Sequence, residues 1–180
     1  MLKGVNIGIA NSLRRIMISE IPILSIDTVQ FERNDSLLDD EFIAHRLGMV
    51  VLDSSALYSG KINANTSIIL TADVTCNSYD PLDVTVDMIK SNIPEVPCLY
   101  PDTILTRLYK GQCLKFSAVA KIGIGKDHAK WNSISGICME PEEKGIKITM
   151  EETGALNAKD IIRLGLTLLS ENMLKLQALM

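Results

Sequence analysis

The amino-acid sequence predicts an α+β fold, with helices at its two ends and strands between them. Three patterns carry that assignment. Ile9, Leu13, Ile16 and Met17 fall on one helical stripe that Pro22 interrupts. Between residues 50 and 137, short runs of apolar side chains alternate with polar ones, the period of a strand. From Ile162 onward, Leu166, Leu169, Met173, Leu176 and Met180 recur at alternating spacings of four and three, a heptad-like seam.

The first helix is expected over residues 8–21. Pro22 cannot continue it and biases Ile21 away from helical angles. Residues 23–32 are rich in β-branched side chains and read as a strand. Its alternation slips between Leu24/Ile26 and Val29/Phe31, so a bulge or burial on both faces is expected. Asn34, Asp35 and Ser36 form a turn. Ser36, three residues before Asp39, is read as the cap of a short second helix, whose Asp39, Asp40 and Glu41 suit the positive end of its dipole. Gly48 stops that helix.

Further on, Ile68, Leu70, Ala72 and Val74 alternate cleanly, as do Val84 and Val86, then Leu114, Phe116, Ala118 and Ala120. Lys110-Gly111-Gln112 is read as a hairpin turn between strands at 104–109 and 113–122, and residues 92–102 as a loop. A turn from Pro141 through Lys144 to Gly145 leads into a strand with Ile146, Ile148 and Met150 on one face. Asn157 caps the last helix, which runs to about residue 179. Ile161, Leu164 and Leu168 widen its apolar face beyond what one neighbouring element covers. A helical partner surface is therefore expected there, besides packing on its own domain.

Composition narrows the function classes. Hydrophobic residues make up 47% of the chain, which suits an ordered core. Aromatics at 4% leave few platforms for stacking bases, and a net charge of -4 argues against a stand-alone nucleic-acid binder. Cys76, Cys98, Cys113 and Cys138 are scattered with no C-x-x-C pair, so they are read as reduced thiols of an intracellular protein. No apolar run reaches the length of a membrane span. A small cytosolic enzyme would need Cys138 paired with His128, and no local signature supports that pair; His45 is the only other histidine. Gly123-Ile124-Gly125-Lys126 lacks the phosphate-loop spacing and a following helix. Arg14-Arg15, on the polar side of the first helix, is either a solvated face or a dock for a partner carboxylate.

Three blocks then carry a family resemblance. They are Asn11-Ser12-Leu13-Arg14-Arg15-Ile16-Met17 with Glu20-Ile21-Pro22, the run Asp40-Glu41-Phe42-Ile43-Ala44-His45-Arg46-Leu47-Gly48, and His128-Ala129-Lys130-Trp131. In that order they resemble the alpha-like subunits of multisubunit DNA-directed RNA polymerases, most closely the eukaryotic polymerase II branch. The family also includes archaeal equivalents and the bacterial alpha N-terminal domain.

The resemblance implies a non-catalytic assembly subunit of nuclear RNA polymerase II, holding no catalytic residue. It implies a discontinuous dimerisation domain of two helices on an antiparallel sheet, from residues 1–24 and 146–180, with an inserted mostly-β domain at 25–145. Leu13, Ile16, Met17, Ile162, Leu166, Leu169, Met173 and Leu176 would then face a smaller alpha-like subunit in a heterodimer. Arg14 and Arg15 would meet the second-largest subunit. The largest subunit and small zinc-binding subunits would complete the assembly, and DNA or RNA would be reached only through it. The remaining signature positions are Asn11, Glu20, Pro22, Asp40, Glu41, His45, Arg46, Gly48, His128, Lys130 and Trp131. The equivalent subunit of polymerases I and III, or of an archaeal polymerase, is the alternative.

Three departures from the family qualify these expectations. No cysteine lies between residues 61 and 74, where many relatives hold zinc, so no metal or other cofactor is expected. The cysteine pattern of an iron–sulfur module is absent too. Relatives carry a full strand before the first helix, whereas Met1 stands only a few residues ahead of it. The chain is accordingly read as pared down or incomplete at that edge of the dimerisation sheet.

Overall fold

The computed structural model describes residues 1–63, 66–143 and 145–179. Met180, the last position of the seam, lies outside the described residues, as do Lys144 of the expected turn and Ala64 and Asn65 of the segment compared with the zinc site. In chain order the elements are α1 (Ile7–Ser19), β1 (Ile23–Asn34), α2 (Asp40–Gly48), α3 (Ser55–Tyr58), β2 (Ile68–Thr75), β3 (Leu82–Thr85), β4 (Lys90–Ser91), β5 (Ile104–Leu108), β6 (Cys113–Gly123), β7 (Ile134–Glu142), β8 (Gly145–Glu152) and α4 (Ala158–Ala178). They form two compact units, Met1–Ile23 with Gly123–Met180, and Leu24–Ile122.

The discontinuous unit holds α1, α4 and the β7–β8 hairpin. Asn6 caps α1 by accepting the Gly8 amide at 2.8 Å. The helix ends just short of Pro22, where Glu20 still donates its amide to the Ile16 carbonyl. Its buried line is Ala10, Leu13, Ile16 and Met17, so Ala10 takes the place that periodicity gave to Ile9. β7 and β8 pair antiparallel from Ile134↔Glu152 to Glu142↔Gly145. That pairing draws residues 123–145 into this unit and moves the second junction from the expected 145/146 to 122/123. Leu2 bonds Ile146 in both directions at 2.8 Å, a single bridge beside β8.

The continuous unit holds a four-strand sheet in the order β1-β6-β2-β4 and a separate β3-β5 ladder. β2 and β6 pair antiparallel from Ile68↔Ala120 to Thr75↔Cys113. This register turns Leu70, Ala72, Leu114, Phe116 and Ala118 into the core and leaves Thr71 and Asp73 exposed. The first four positions of β1, Ile23 to Ile26, are all buried, and alternation begins only after them. Burial on both faces, one of the two expected causes of the slip, is found here. α2 closes this core with Ile43 and Leu47, both fully buried.

Two local expectations are corrected. Ser36 does not cap α2; Asp39 occupies that position. Asn34 instead accepts from the Ser36 hydroxyl at 2.8 Å and donates to Asp40 at 2.8 Å, tying the turn up before the helix begins. Gly111 does sit in a tight turn at φ 83, but the strands flanking it are not paired with each other. β5 pairs with β3 and β6 with β2, and the turn bonds Cys76 at both its N–H and its carbonyl.

Candidate functional site

α4 carries the site, and its start is fixed locally. The Asn157 side chain accepts the Asp160 amide at 3.0 Å, and Arg163 pairs with Asp160 at 3.1 Å one turn on. Two apolar stripes then run along the helix. One faces inward, with Ile161 and Gly165 buried and Leu164 and Leu168 partly so. The other faces outward: Ile162, Leu166, Met173 and Leu176 are 43%, 48%, 49% and 64% exposed. Leu169 is partly buried between them.

Gly165 explains why the stripes separate. A Cβ there would stand 2.7 Å from Met17 Cγ and 3.3 Å from Leu13 Cδ1, so α1 closes onto α4 where the side chain is missing. Leu13, Ile16 and Met17 are consequently core, between 1% and 5% exposed. The resemblance places them on a partner surface; within this chain they pack against α4. Sequence reasoning reads Ile9 as part of the inward stripe, though it is exposed, and passes over the exposed Ile7 of α1 and Leu174 of α4. Leu174 is legible as an apolar position off the inward stripe.

Two clefts flank the outward stripe. One of about 590 Å³ is lined by Arg15, Ile16, Lys126, Leu169, Met173 and Leu176. The other, about 320 Å³, is lined by Ile9, Leu166, Leu169, Met173 and Leu174. Two hydrogen bonds tie the rim of the larger cleft. Lys126 donates its backbone N–H to the Ser19 carbonyl at 2.9 Å, and Asn172 donates to Glu20 Oε2 at 3.2 Å. Arg15 is exposed along this rim, whereas Arg14 is partly buried and donates to Asn11 Oδ1 through Nε at 3.2 Å and Nη2 at 2.8 Å. The two arginines therefore occupy different environments.

The other signature residues make local structure in both units. His128 Nδ1 accepts the Lys130 amide at 3.0 Å and caps a short 3-10 turn at Ala129–Trp131, and Lys130 Nζ lies 4.4 Å from the Trp131 ring centre. A Cβ on Gly123 would stand 2.4 Å from two Trp131 ring atoms, so the glycine-rich run serves close packing. Pro22, partly buried, separates α1 from β1. In the continuous unit, Asp40 accepts from Asn34, Arg46 donates to the Ile104 carbonyl at 2.6 Å, and the Gly48 carbonyl accepts from Ser25 at 2.8 Å. Glu41 and His45 are exposed on α2.

The residues considered for catalysis or metal binding are not brought together. Cys138 is exposed on β7, with Glu140 at 4.0 Å as its polar neighbour, while His128 is engaged by its own turn. Burial pushes the Cys98 thiol up to about 11, which suppresses the reactive thiolate. Among the described residues, no group of three or more His, Cys, Asp or Glu side chains converges on a metal position.

Comparison with known proteins agrees in kind with an interaction face. The family described as the RNA polymerase Rpb3/Rpb11 dimerisation domain matches residues 1–173. The chain is 38% identical over 150 residues to DNA-directed RNA polymerase II subunit rpb3 of Dictyostelium discoideum. It is 40% identical over 131 residues to DNA-directed RNA polymerase subunit Rpo3 of Pyrococcus horikoshii. With DNA-directed RNA polymerases II, IV and V subunit 3 of Arabidopsis thaliana it shares 36% identity over 160 residues. Each match covers 73% of this chain and 49–50% of the relative. The chain thus spans about half the length of the curated relatives it matches.

Proposed function

Because this chain belongs to the family of the RNA polymerase Rpb3/Rpb11 dimerisation domain, we propose that it is a non-catalytic assembly subunit of nuclear DNA-directed RNA polymerase II. It pairs with a smaller alpha-like subunit, and the heterodimer receives the second-largest and then the largest subunit. Small zinc-binding subunits join the same assembly, nucleic acid is contacted only through the complex, and the chain works without a metal or cofactor of its own.

The observation that carries this reading is the outward stripe of α4. Four apolar residues on one line, each more than two-fifths exposed, form a continuous apolar seam at coiled-coil spacing. Ile7 and Ile9 of α1 add to it. Arg14 and Arg15 serve the large-subunit side.

Co-expression with the smaller alpha-like subunit tests the proposal. Leu166→Asp combined with Met173→Asp should weaken pairing by at least about 100-fold, since each buried anchor contributes roughly 1.5–3 kcal/mol. The isolated variant should unfold within a few degrees of the wild type, because both positions are already about half exposed. Pairing at wild-type strength would remove the proposed interface. The 40% identity to an archaeal Rpo3 supports a second reading, the equivalent archaeal subunit. Locating the tagged chain in its native cell, inside or outside a nucleus, separates the two.

A further inference from the structure

The β7–β8 sheet has two strands and therefore two outer edges, and the sequence treats them differently. Ile146 exchanges both backbone bonds with Leu2 at 2.8 Å, so its N–H and C=O turn away from β7. In an antiparallel pair every second residue turns the same way, which puts the backbone groups of Ile148 and Met150 on that outer edge too. Among the described residues no backbone group answers them there. By the same parity Ile137, Met139 and Pro141, opposite Met150, Ile148 and Ile146, face the far edge of β7. That edge is blunted: Pro141 has no N–H, and the register shifts between Ile134 and Gly136. The β8 edge carries neither device.

Leu2 shows that this edge accepts a strand. Gly145, at φ 149, lets it approach, because a Cβ there would collide with the Leu2 carbonyl. Beyond Leu2, alternation sets what the open part can take. Ile148 and Met150 are partly buried on the covered face of β8, while Thr149 and Glu151 are exposed on the other. Lys147 is engaged by Glu140 at 3.6 Å and Glu142 at 4.0 Å. Glu151 and Glu152 have no ion-pair partner among the described residues, so the open end of the edge is acidic.

We propose that the open edge of β8 receives an extended segment of a partner protein by antiparallel strand addition, with the pattern basic–apolar–polar–apolar. The two apolar residues lie opposite Met150 and Ile148 and exchange backbone bonds with them; the basic one lies opposite Glu151 and the polar one opposite Thr149. A second copy of this chain is disfavoured by register. Pairing β8 with itself about Thr149 sets Glu152 of one copy against Ile146 of the other, where Leu2 is already bonded. A nucleic-acid phosphate would meet two carboxylates. This edge belongs to a different element from the outward stripe of α4, so strand addition here is independent of the pairing assigned to that helix.

The test follows amide exchange by NMR in the full chain, with and without a synthetic peptide carrying the run Lys-Val-Thr-Val. In the free chain the amides of Ile148 and Met150 should exchange at least about tenfold faster than those of Lys147 and Thr149, which the β7 ladder holds. The peptide should slow Ile148 and Met150 and leave α4 unchanged. Methylating the nitrogen of its first Val removes a donor from the bonded edge and should weaken binding about tenfold. Replacing its Lys with Glu should weaken binding about three- to tenfold, and Glu151→Lys should restore that peptide while rejecting the original. Ile148→Pro takes away an outward N–H without touching the β7 ladder and should abolish binding. Where that proline unfolds the hairpin, Glu151→Lys, at an exposed position, still reads the register.

No slowing of Ile148 and Met150 at millimolar peptide, equal binding of the methylated peptide, or a charge swap without effect would each overturn the proposal. So would slowing of the same amides in the chain alone as its concentration rises, which would give the edge to a second copy. Salt-sensitive slowing by an RNA oligonucleotide would give it to phosphate and overturn the proposal as well. If Ile148 and Met150 are already protected in the dilute free chain, the edge is closed and the site is lost.

Discussion

Single residues in this chain are constrained by what lies directly against them. Gly123 faces the Trp131 ring so closely that Gly123→Ala must displace a rigid indole, and a loss of about 1–3 kcal/mol is expected. Urea unfolding followed by fluorescence reads this directly, because Trp131 is the only tryptophan. Asp83 sets a pH dependence. The Arg107 side chain, hydrogen-bonded to it across the β3–β5 ladder, holds its carboxyl below the usual 3.8. A carboxyl with a depressed folded value stabilises fully above its unfolded value, and that contribution disappears as pH falls through the folded one. The ladder should therefore be weakened as pH falls below the usual carboxylate range, and Asp83→Asn should remove that part of the acid sensitivity. Amide exchange in β3 and β5 across the range checks it; an unchanged acid profile in the variant would contradict it. Lys115, raised above its ordinary value by its bond to Glu32, has the opposite sign and loses its contribution only in strong alkali.

Elements are legible in the sequence to different degrees, and the reasons are physical. α4 is readable nearly to its ends because Asn157 marks its start and its apolar positions follow two helical lines. Replacing Asn157 with Ala should cost about 1 kcal/mol and raise exchange in the first turn of α4 alone. α1 is located correctly by its periodicity, yet its stripe points to a partner when the chain itself covers it. The deciding residue is Gly165, which in sequence looks only like a weak spot in a helix and in space is where Leu13 and Met17 close in. Gly165→Leu should accordingly lower stability by about 1–3 kcal/mol by forcing α1 away, as measured by thermal unfolding. The strands of the continuous unit are readable from alternation, but their partners are not. Gly111 advertises a hairpin, while register sends β5 and β6 to different ladders. The Asn11–Arg14 bond is within reach of sequence reasoning as an i, i+3 pair; the edge of the guanidinium that it occupies requires coordinates.

At the scale of the molecule, the chain buries what its own fold can reach and leaves one helix unfinished. The inward stripe of α4 anchors the discontinuous unit, and the outward stripe keeps Leu166, Met173 and Leu176 in water. An apolar line of this length drives association of some kind. The isolated chain is therefore expected to self-associate with rising concentration, as sedimentation velocity will register, and the Leu166→Asp/Met173→Asp variant to remain monomeric. The measurement that bears most directly on the assembly role is hydrogen–deuterium exchange of the chain with and without the smaller alpha-like subunit. Protection should appear along α4 from about Leu166 to Ala178 and at the start of α1, with α2 and the β3–β5 ladder unchanged. Full binding with no added protection in α4, or protection confined to the continuous unit, would contradict the assignment of α4 as the pairing face.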